Sequence, residues 1–178
     1  MIVSAGRNEI FDFAKIIGVG LIESAINLTE LCIKNKPDYI LFIGSAGSYG
    51  EYNIFDIIES RSACNIELSF LRKDSYTPLN TLVESSNKIV KNSTVVNCSN
   101  YITTNNELVS PLIQEGIGIE NMEFFSVLEV AKKFNIPAAG IFVISNYTND
   151  DAHKSFLANH KVAMSKLSAY LIDKNFIK

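Results

Sequence analysis

The chain has 178 residues, which at roughly 100–200 residues per domain makes one domain. Lys and Arg number 16 against 19 Asp and Glu, a net charge of -3, so no strong positive field is available for a polyanion, which argues against a dedicated nucleic-acid binder. Hydrophobic residues make up 47% and charged residues 20%, which rules out a disordered chain and provides for a real core.

The longest apolar runs, Ile136–Ile144 and Tyr39–Gly47, fall well short of the ~20 residues that a membrane span needs. The opening MIVSAGRNE has no basic region followed by a long apolar stretch, so it does not read as a secretory signal. Cys32, Cys64 and Cys98 form no CxxC, and reduced, buried thiols in a cytoplasmic protein fit them best.

Met1–Ala5 reads as a strand and Lys15–Val19 as a second. Leu21–Lys34 has helical period, with Leu21, Ala25, Leu28 and Cys32 on one face and Glu23, Asn27, Glu30 and Lys34 on another; Pro37 ends it. Asp38–Ile43 is a near-continuous apolar strand, which suits a sheet covered on both faces. Gly44–Gly50 then reads as a glycine-rich turn whose small residues let backbone N–H groups approach a ligand. It is neither a P-loop nor a GxGxxG loop.

Ile54–Glu59 is another strand, and Ser60–Ser75 shows no assignable pattern. Thr77-Pro78 offers an N-cap and a proline at the first helical position, predicting a helix to about Lys91. Thr94–Cys98 reads as a strand, and Asn105–Gln114 as a helix stopped by Gly116. Met122–Phe134 reads as a helix with Phe124, Val127, Leu128 and Ala131 on its apolar side. Pro137–Ile144 is a strand, and Asp151–Asp173 a long terminal helix with Phe156, Ala163, Leu167 and Tyr170 facing in. The alternation predicts one α/β domain over residues 1–178, with a mixed, mainly parallel central sheet flanked by helices. Ligands of such sheets sit off the carboxyl ends of strands, here the loops after residues 5, 43, 98 and 144.

Taken in order, GVGLIESAINLTELCIKNKPDYILFIGSAGSYG, IFDIIES and NMEFFSVLEVAKKFNIPAAGIFVISN resemble the nucleoside phosphorylase/nucleosidase superfamily. Its members include purine nucleoside and uridine phosphorylases, methylthioadenosine/S-adenosylhomocysteine nucleosidases and futalosine hydrolases. KPDYILFIGSAG is similar to the family's strand and ribose-site glycine loop, NMEFFSV to the start of its Met-Glu helix, and IFVISN to the strand end carrying its Ser-Asp pair.

The resemblance implies a site residue by residue. Met122 and Glu123 match the Met-Glu pair, in which the carboxylate accepts from two vicinal ribose hydroxyls; read alone, Glu123 is rather a first-turn helix acid favoured by the macrodipole. Ser145-Asn146 falls where the family has Ser-Asp, whose Asp protonates purine N7. An Asn can only donate an N–H to N7 or O6, which suits a 6-oxopurine; read alone, it caps the following helix. SAGRNE aligns with the nucleosidase loop whose final Glu activates the attacking water, which assigns that role to Glu9; the plain alternative is a solvated helix-start acid.

Ser45 would lie beside the sugar, and Arg7 with Gly44 would bind sugar or phosphate. Phe42 and Phe142 stand where phosphorylases carry arginines, and the only arginines are Arg7, Arg61 and Arg72, a thin cradle for phosphate. Tyr101 and Phe156 are candidates to stack on the base beside Ser145. His153 and His160 have no carboxylate or cysteine at matched spacing, so neither a metal nor a cofactor is expected.

The implied function is hydrolytic cleavage of the N-glycosidic bond of a purine nucleoside. The alternatives are phosphorolysis through Arg7 and a non-catalytic nucleoside-binding protein. The implied partners are a purine nucleoside or free purine base, phosphate in the phosphorolytic alternative, and a second copy in a homo-oligomer, a dimer foremost; nucleic acid and membrane are not among them. The chain is short of the family pattern between its first strand and GVG, where only EIFDFAKII stands, and again after Glu59. Both regions usually wall the pocket or form the dimer contact.

Overall fold

The apolar run that begins at Ile40 forms the centre of the molecule, and its side chains divide between two cores. Ile40 and Phe42 point to one face, with Leu28, Phe124, Val127 and Phe142. Leu41 and Ile43 point to the other, with Ile141, Val143, Ala163 and Leu167. Burial on both faces is what an unbroken apolar strand requires. The computed structural model describes residues 1–86, 89–91, 94–105, 107 and 109–178.

In chain order the elements are β1 (Ile2–Ser4), β2 (Lys15–Ile16), α1 (Leu21–Lys34), β3 (Ile40–Ser48), β4 (Ile57–Ser60), β5 (Ser62–Cys64) and α2 (Leu68–Leu71). There follow β6 (Leu82–Glu84), β7 (Val95–Cys98), α3 (Val109–Gln114), β8 (Ile117–Asn121), α4 (Phe124–Phe134), β9 (Ala138–Tyr147) and α5 (Ala152–Asp173). The described strands form one sheet, in which β3 pairs with β9 along its whole length. On its other edge β3 meets β1 at Leu41–Phe42 and β8 at Gly47–Ser48. The pairs β1–β2, β1–β3, β3–β9, β5–β7 and β7–β8 are parallel, while β3–β8, β4–β9 and β5–β6 are antiparallel. The sheet is therefore mixed and mainly parallel, with helices α1 and α4 on one face and α5 on the other.

Phe42, Phe124 and Phe142 form a fully buried ring cluster, with centroids 5.2, 5.7 and 6.1 Å apart. Gly140 makes room for it, since a Cβ there would stand 2.6 Å from the Phe142 ring.

The structure corrects several sequence readings. Gly44–Ser48 is not a turn but the continuation of β3, bulged between Ala46 and Gly47. Backbone pairing with β9 persists through the small residues, so the turn begins only after Ser48. Likewise Ser145 and Asn146 lie inside β9, not after it. The helix expected from Pro78 to Lys91 does not form over the described residues. The Thr77 hydroxyl accepts the Leu79 N–H in a local turn, and Leu82–Glu84 pairs with β5; Asn87 and Lys88 lie outside the described residues. The helix expected over Asn105–Gln114 begins at Val109, with Asn106 and Leu108 outside the described residues. The strand read at Ile54–Glu59 is β4, and the unassigned Ser60–Ser75 holds β5 and α2. On α5, Ala163 and Leu167 are buried, but Phe156 and Tyr170 are only half-buried.

Candidate active site

A cavity of about 360 Å³ opens where the ends of β1, β3, β8 and β9 meet the start of α5. Its size is that of a small-molecule site. The turn after β1 contributes Arg7 and Glu9. Gly6 sits at φ 87° and Arg7 at φ 53°, and the Glu9 N–H donates to the Gly6 carbonyl at 2.9 Å. Positive φ favours glycine at the first of these positions. This tight turn swings Glu9 back over β3, where it is only 7% exposed. There its Oε1 accepts from both the N–H (2.8 Å) and the hydroxyl of Ser45. Burial pushes the Glu9 carboxyl above its ordinary range, and the two Ser45 donors pull it partly back. Gly44 does not line the cavity; it backs Glu9, since a Cβ at Gly44 would stand 2.6 Å from Glu9 Oε2.

Glu123 enters from the junction of β8 and α4. Asn121 caps that junction, its Oδ1 accepting from the N–H groups of Glu123 (2.8 Å) and Phe124 (2.9 Å) while its Nδ2 donates to the Ser45 carbonyl (3.2 Å). Asn121 thus ties the helix start to β3 and leaves the Glu123 carboxylate free to cross to Gly20, whose N–H it accepts at 2.9 Å. Glu123 is 3% exposed, and its carboxyl is pushed up to about 7. Burial is the main cause and the charge of Glu9 the second, opposed by the Gly20 N–H, Asn121 and the Met122 backbone. Glu9 and Glu123 are thus two buried carboxylates in one cavity, neither in an ion pair among the described residues.

Asn146 is 7% exposed and does not cap α5. Its Oδ1 accepts from the Ser145 hydroxyl at 2.8 Å, and its Nδ2 donates to the Tyr147 carbonyl at 3.1 Å, leaving the second amide hydrogen for the cavity. Ser145 is therefore behind Asn146 rather than on the cavity wall. Met122, Tyr101 and Phe156 do line it; Tyr101, 77% exposed, stands at the mouth. The His153 ring stacks on Phe156 with centroids 6.5 Å apart.

Most of the residues singled out in the sequence thus converge, while Gly44 and Ser145 stand one layer behind. Sequence reading missed Glu120. This third carboxylate of the cavity accepts from the Thr103 N–H and the Tyr49 hydroxyl, each at 3.0 Å, and burial pushes it up. Its signal was an acid at the end of the short Ile-Gly-Ile run of β8. Among the described residues, Arg7 is the only Lys or Arg on the cavity wall. Arg61 pairs with Glu84 at 3.2 Å, and Phe42 and Phe142 are core residues that do not reach the cavity. Among the described residues no group of three or more His, Cys, Asp and Glu is placed to hold a metal ion.

The model of the phosphorylase superfamily matches residues 2–174, and the chain belongs to that superfamily. No curated protein matches the chain in sequence. Among solved structures it is similar to an Asp-to-Asn mutant of a Helicobacter pylori nucleosidase (MTAN) with 5'-methylthioadenosine in its active site. That match has 19% identity and a TM-score of 0.79 over 97% of this chain and 95% of that one. The Helicobacter pylori futalosine hydrolase matches at 19% identity and TM-score 0.79, covering 97% and 96%. A Streptococcus pneumoniae 5'-methylthioadenosine/S-adenosylhomocysteine nucleosidase matches at 14% identity and TM-score 0.75, covering 96% and 95%. At these identities the likeness establishes the fold.

Proposed function

We propose that the protein cleaves the N-glycosidic bond of a purine nucleoside, with water as the attacking group. The observation that carries this reading is the meeting of Glu9 and Glu123, both buried and in no ion pair among the described residues, in one nucleoside-sized cavity. Cleavage through an oxocarbenium-like transition state needs a base to orient water at the anomeric carbon and a firm hold on the sugar. Glu9, fixed by Ser45, supplies the first, and Glu123 beside Met122 supplies the second. Asn146, held by Ser145, donates to the departing base, and Tyr101 and Phe156 pack against its faces. The nucleosidase and hydrolase names of the structural relatives, one with 5'-methylthioadenosine in its active site, support the same substrate class.

Arg7 on the cavity wall favours one other reading, phosphorolysis. A single exposed arginine is a weak cradle for a phosphate dianion, and the two positions that would reinforce it are buried phenylalanines. Incubation with inosine therefore releases hypoxanthine and free ribose at a rate unchanged by phosphate. A strict phosphate requirement, with ribose 1-phosphate as product, would overturn the hydrolytic reading.

Asn146 sets the base preference in this account. Wild type favours inosine over adenosine, because the amide donates to O6 or N7 but cannot protonate an adenine. Asn146→Asp supplies that proton, and we expect adenosine turnover to rise by about 10²-fold relative to inosine, the lower end of what a positioned general acid contributes. A wild type that prefers adenosine, or a variant with an unchanged ratio, removes Asn146 from base recognition.

The reading includes a cytoplasmic homodimer acting in nucleoside breakdown. Supporting it are three buried free thiols, at Cys32, Cys64 and Cys98, and an exposed apolar face of α1 formed by Ile22, Ile26 and Ile33. Among the described residues no helix is long and apolar enough to cross a membrane.

A further inference from the structure

Helices α1 and α4 start side by side, and two hydrogen bonds join their beginnings. The Gly20 N–H donates to Glu123 Oε1 at 2.9 Å, and the Ser126 hydroxyl donates to the Leu21 carbonyl at 2.6 Å. The bonds run in opposite directions, between adjacent residues at the start of α1 and residues three apart on α4. Residues at that spacing lie on the same side of a helix. The pair is therefore a two-point clasp. One bond alone would let the start of α1 pivot about it; the second fixes where the Gly20 N–H stands over Glu123.

Ser126 is 7% exposed and does not line the cavity, whereas Glu123 does. A serine inside a helix can turn its hydroxyl back on its own preceding turn; this one reaches across to another helix. Its neighbours Phe124, Val127 and Leu128 belong to the apolar core. An alanine would fill the same place with better helix propensity and no hydroxyl to desolvate. What serine adds is the bond to Leu21.

The start of α1 depends on such help. Gly20 has no side chain to cap its helix, and at φ 84° it lies in the left-handed region, where a Cβ would stand 2.8 Å from Asn100 Oδ1. The orphan N–H groups there are taken by other elements: Glu123 accepts from Gly20, and Asn100 Oδ1 accepts from Leu21 at 2.9 Å. On the α4 side, Asn121 and the Cys98 sulfur, which accepts from the Phe125 N–H at 3.2 Å, hold the same first turn.

We infer that Ser126 is a positioning residue for the sugar-binding carboxylate: by tying Leu21 to α4 it holds the Gly20 N–H on Glu123 Oε1 and so orients the carboxylate for the ribose hydroxyls. This rests on the sugar role proposed above for Glu123. Without the clasp the carboxylate still lines the cavity but samples several orientations, of which the sugar must select one. Apparent affinity then falls by the fraction of molecules in the competent orientation. A free base does not meet this carboxylate and is indifferent to the change.

The test uses a matched pair of ligands: 9-deazainosine, whose carbon–carbon glycosidic bond cannot be hydrolysed, and 9-deazahypoxanthine, its free base. Affinities are measured by calorimetry on samples whose thermal melts show a folded protein. Loss of a hydrogen bond between uncharged groups corresponds to about a threefold to tenfold weakening. Ser126→Ala is expected to weaken the nucleoside by that factor and the base by less than about twofold. In a Glu123→Ala background the same substitution is expected to change nucleoside affinity by less than about twofold, because the group that it positions is gone.

Equal weakening of nucleoside and base, an unweakened nucleoside, or an undiminished effect in the Glu123→Ala background means that Ser126 only joins two helices, and overturns the inference. The nucleosidase reading fails separately, if wild type releases no base from inosine. A loss confined to the nucleoside would still support the positioning role in that case, since neither ligand requires turnover. A wild type that binds the nucleoside no more tightly than the base has no sugar grip to position, and overturns both the inference and the sugar role of Glu123.

Discussion

Replacing Glu9 with glutamine is expected to lower the rate of base release about 10²–10⁴-fold, the span of a positioned general base, while nucleoside affinity stays within a few-fold. The asymmetry follows from the geometry. Oε1 of Glu9 is occupied by Ser45 donors that a glutamine oxygen can still accept, so the turn after β1 and its seat over Gly44 are retained. What glutamine lacks is the capacity to take a proton from water. Because burial raises the Glu9 carboxyl, wild-type kcat should climb with pH as that group loses its proton, and the variant should lose this limb. Single-turnover rates with inosine, alongside binding of a non-hydrolysable nucleoside analogue, separate the two effects. An unchanged rate, or a loss confined to affinity, would take Glu9 out of the chemical step.

Glu123→Gln should act on the other side of that division. Nucleoside affinity is expected to fall about tenfold to hundredfold and free-base affinity hardly at all, because only the sugar reaches this carboxylate. Equal losses for inosine and hypoxanthine would show the ribose assignment to be wrong. The same substitution has a consequence for stability. Folding raises the Glu123 carboxyl from an ordinary 4.5 to about 7, so the folded state binds the proton more tightly than the unfolded chain. The resulting stabilisation is fully present below about pH 4.5 and is lost as pH rises through about 7, where the burial penalty on the charged form is felt. The shift corresponds to about 3 kcal/mol. Denaturant unfolding should show wild type weakening between pH 5 and 8, and Glu123→Gln should lose a large part of that slope. A variant with the wild-type slope would show that Glu123 is not the group responsible.

Which elements the sequence disclosed depended on how they are stabilised. Helices α1 and α4 were legible because each packs an apolar face repeating at 3–4 residues, and the central strands because burial on both faces leaves an uninterrupted apolar run. The short edge elements were not. Strand β8 has five residues between the stop signal of Gly116 and a helix start, too few to show a period. The Thr77-Pro78 signal was a real local preference, but no amphipathic face followed it, and pairing of Leu82–Glu84 with β5 prevailed. For the site, residue types were legible where chemistry demands a particular group: the turn carboxylate Glu9, the acid of the Met-Glu pair, the amide after Ser145. What remained hidden was depth. Gly44 and Ser145 sit next in sequence to wall residues, yet they face the layer behind, one giving room to Glu9 and the other orienting Asn146. Glu120 became visible only once the pairing of β3 with β8 placed it across Gly47.

The most direct test of the central claim is to run the reaction with inosine in ¹⁸O-labelled water, phosphate present, and to weigh the sugar that leaves. Water oriented by Glu9 at the anomeric carbon predicts free ribose carrying one ¹⁸O atom, together with unlabelled hypoxanthine. Ribose 1-phosphate, or unlabelled sugar, would contradict it by showing that another nucleophile captures the anomeric carbon, and intact inosine would contradict it by showing that the cavity binds without cleaving.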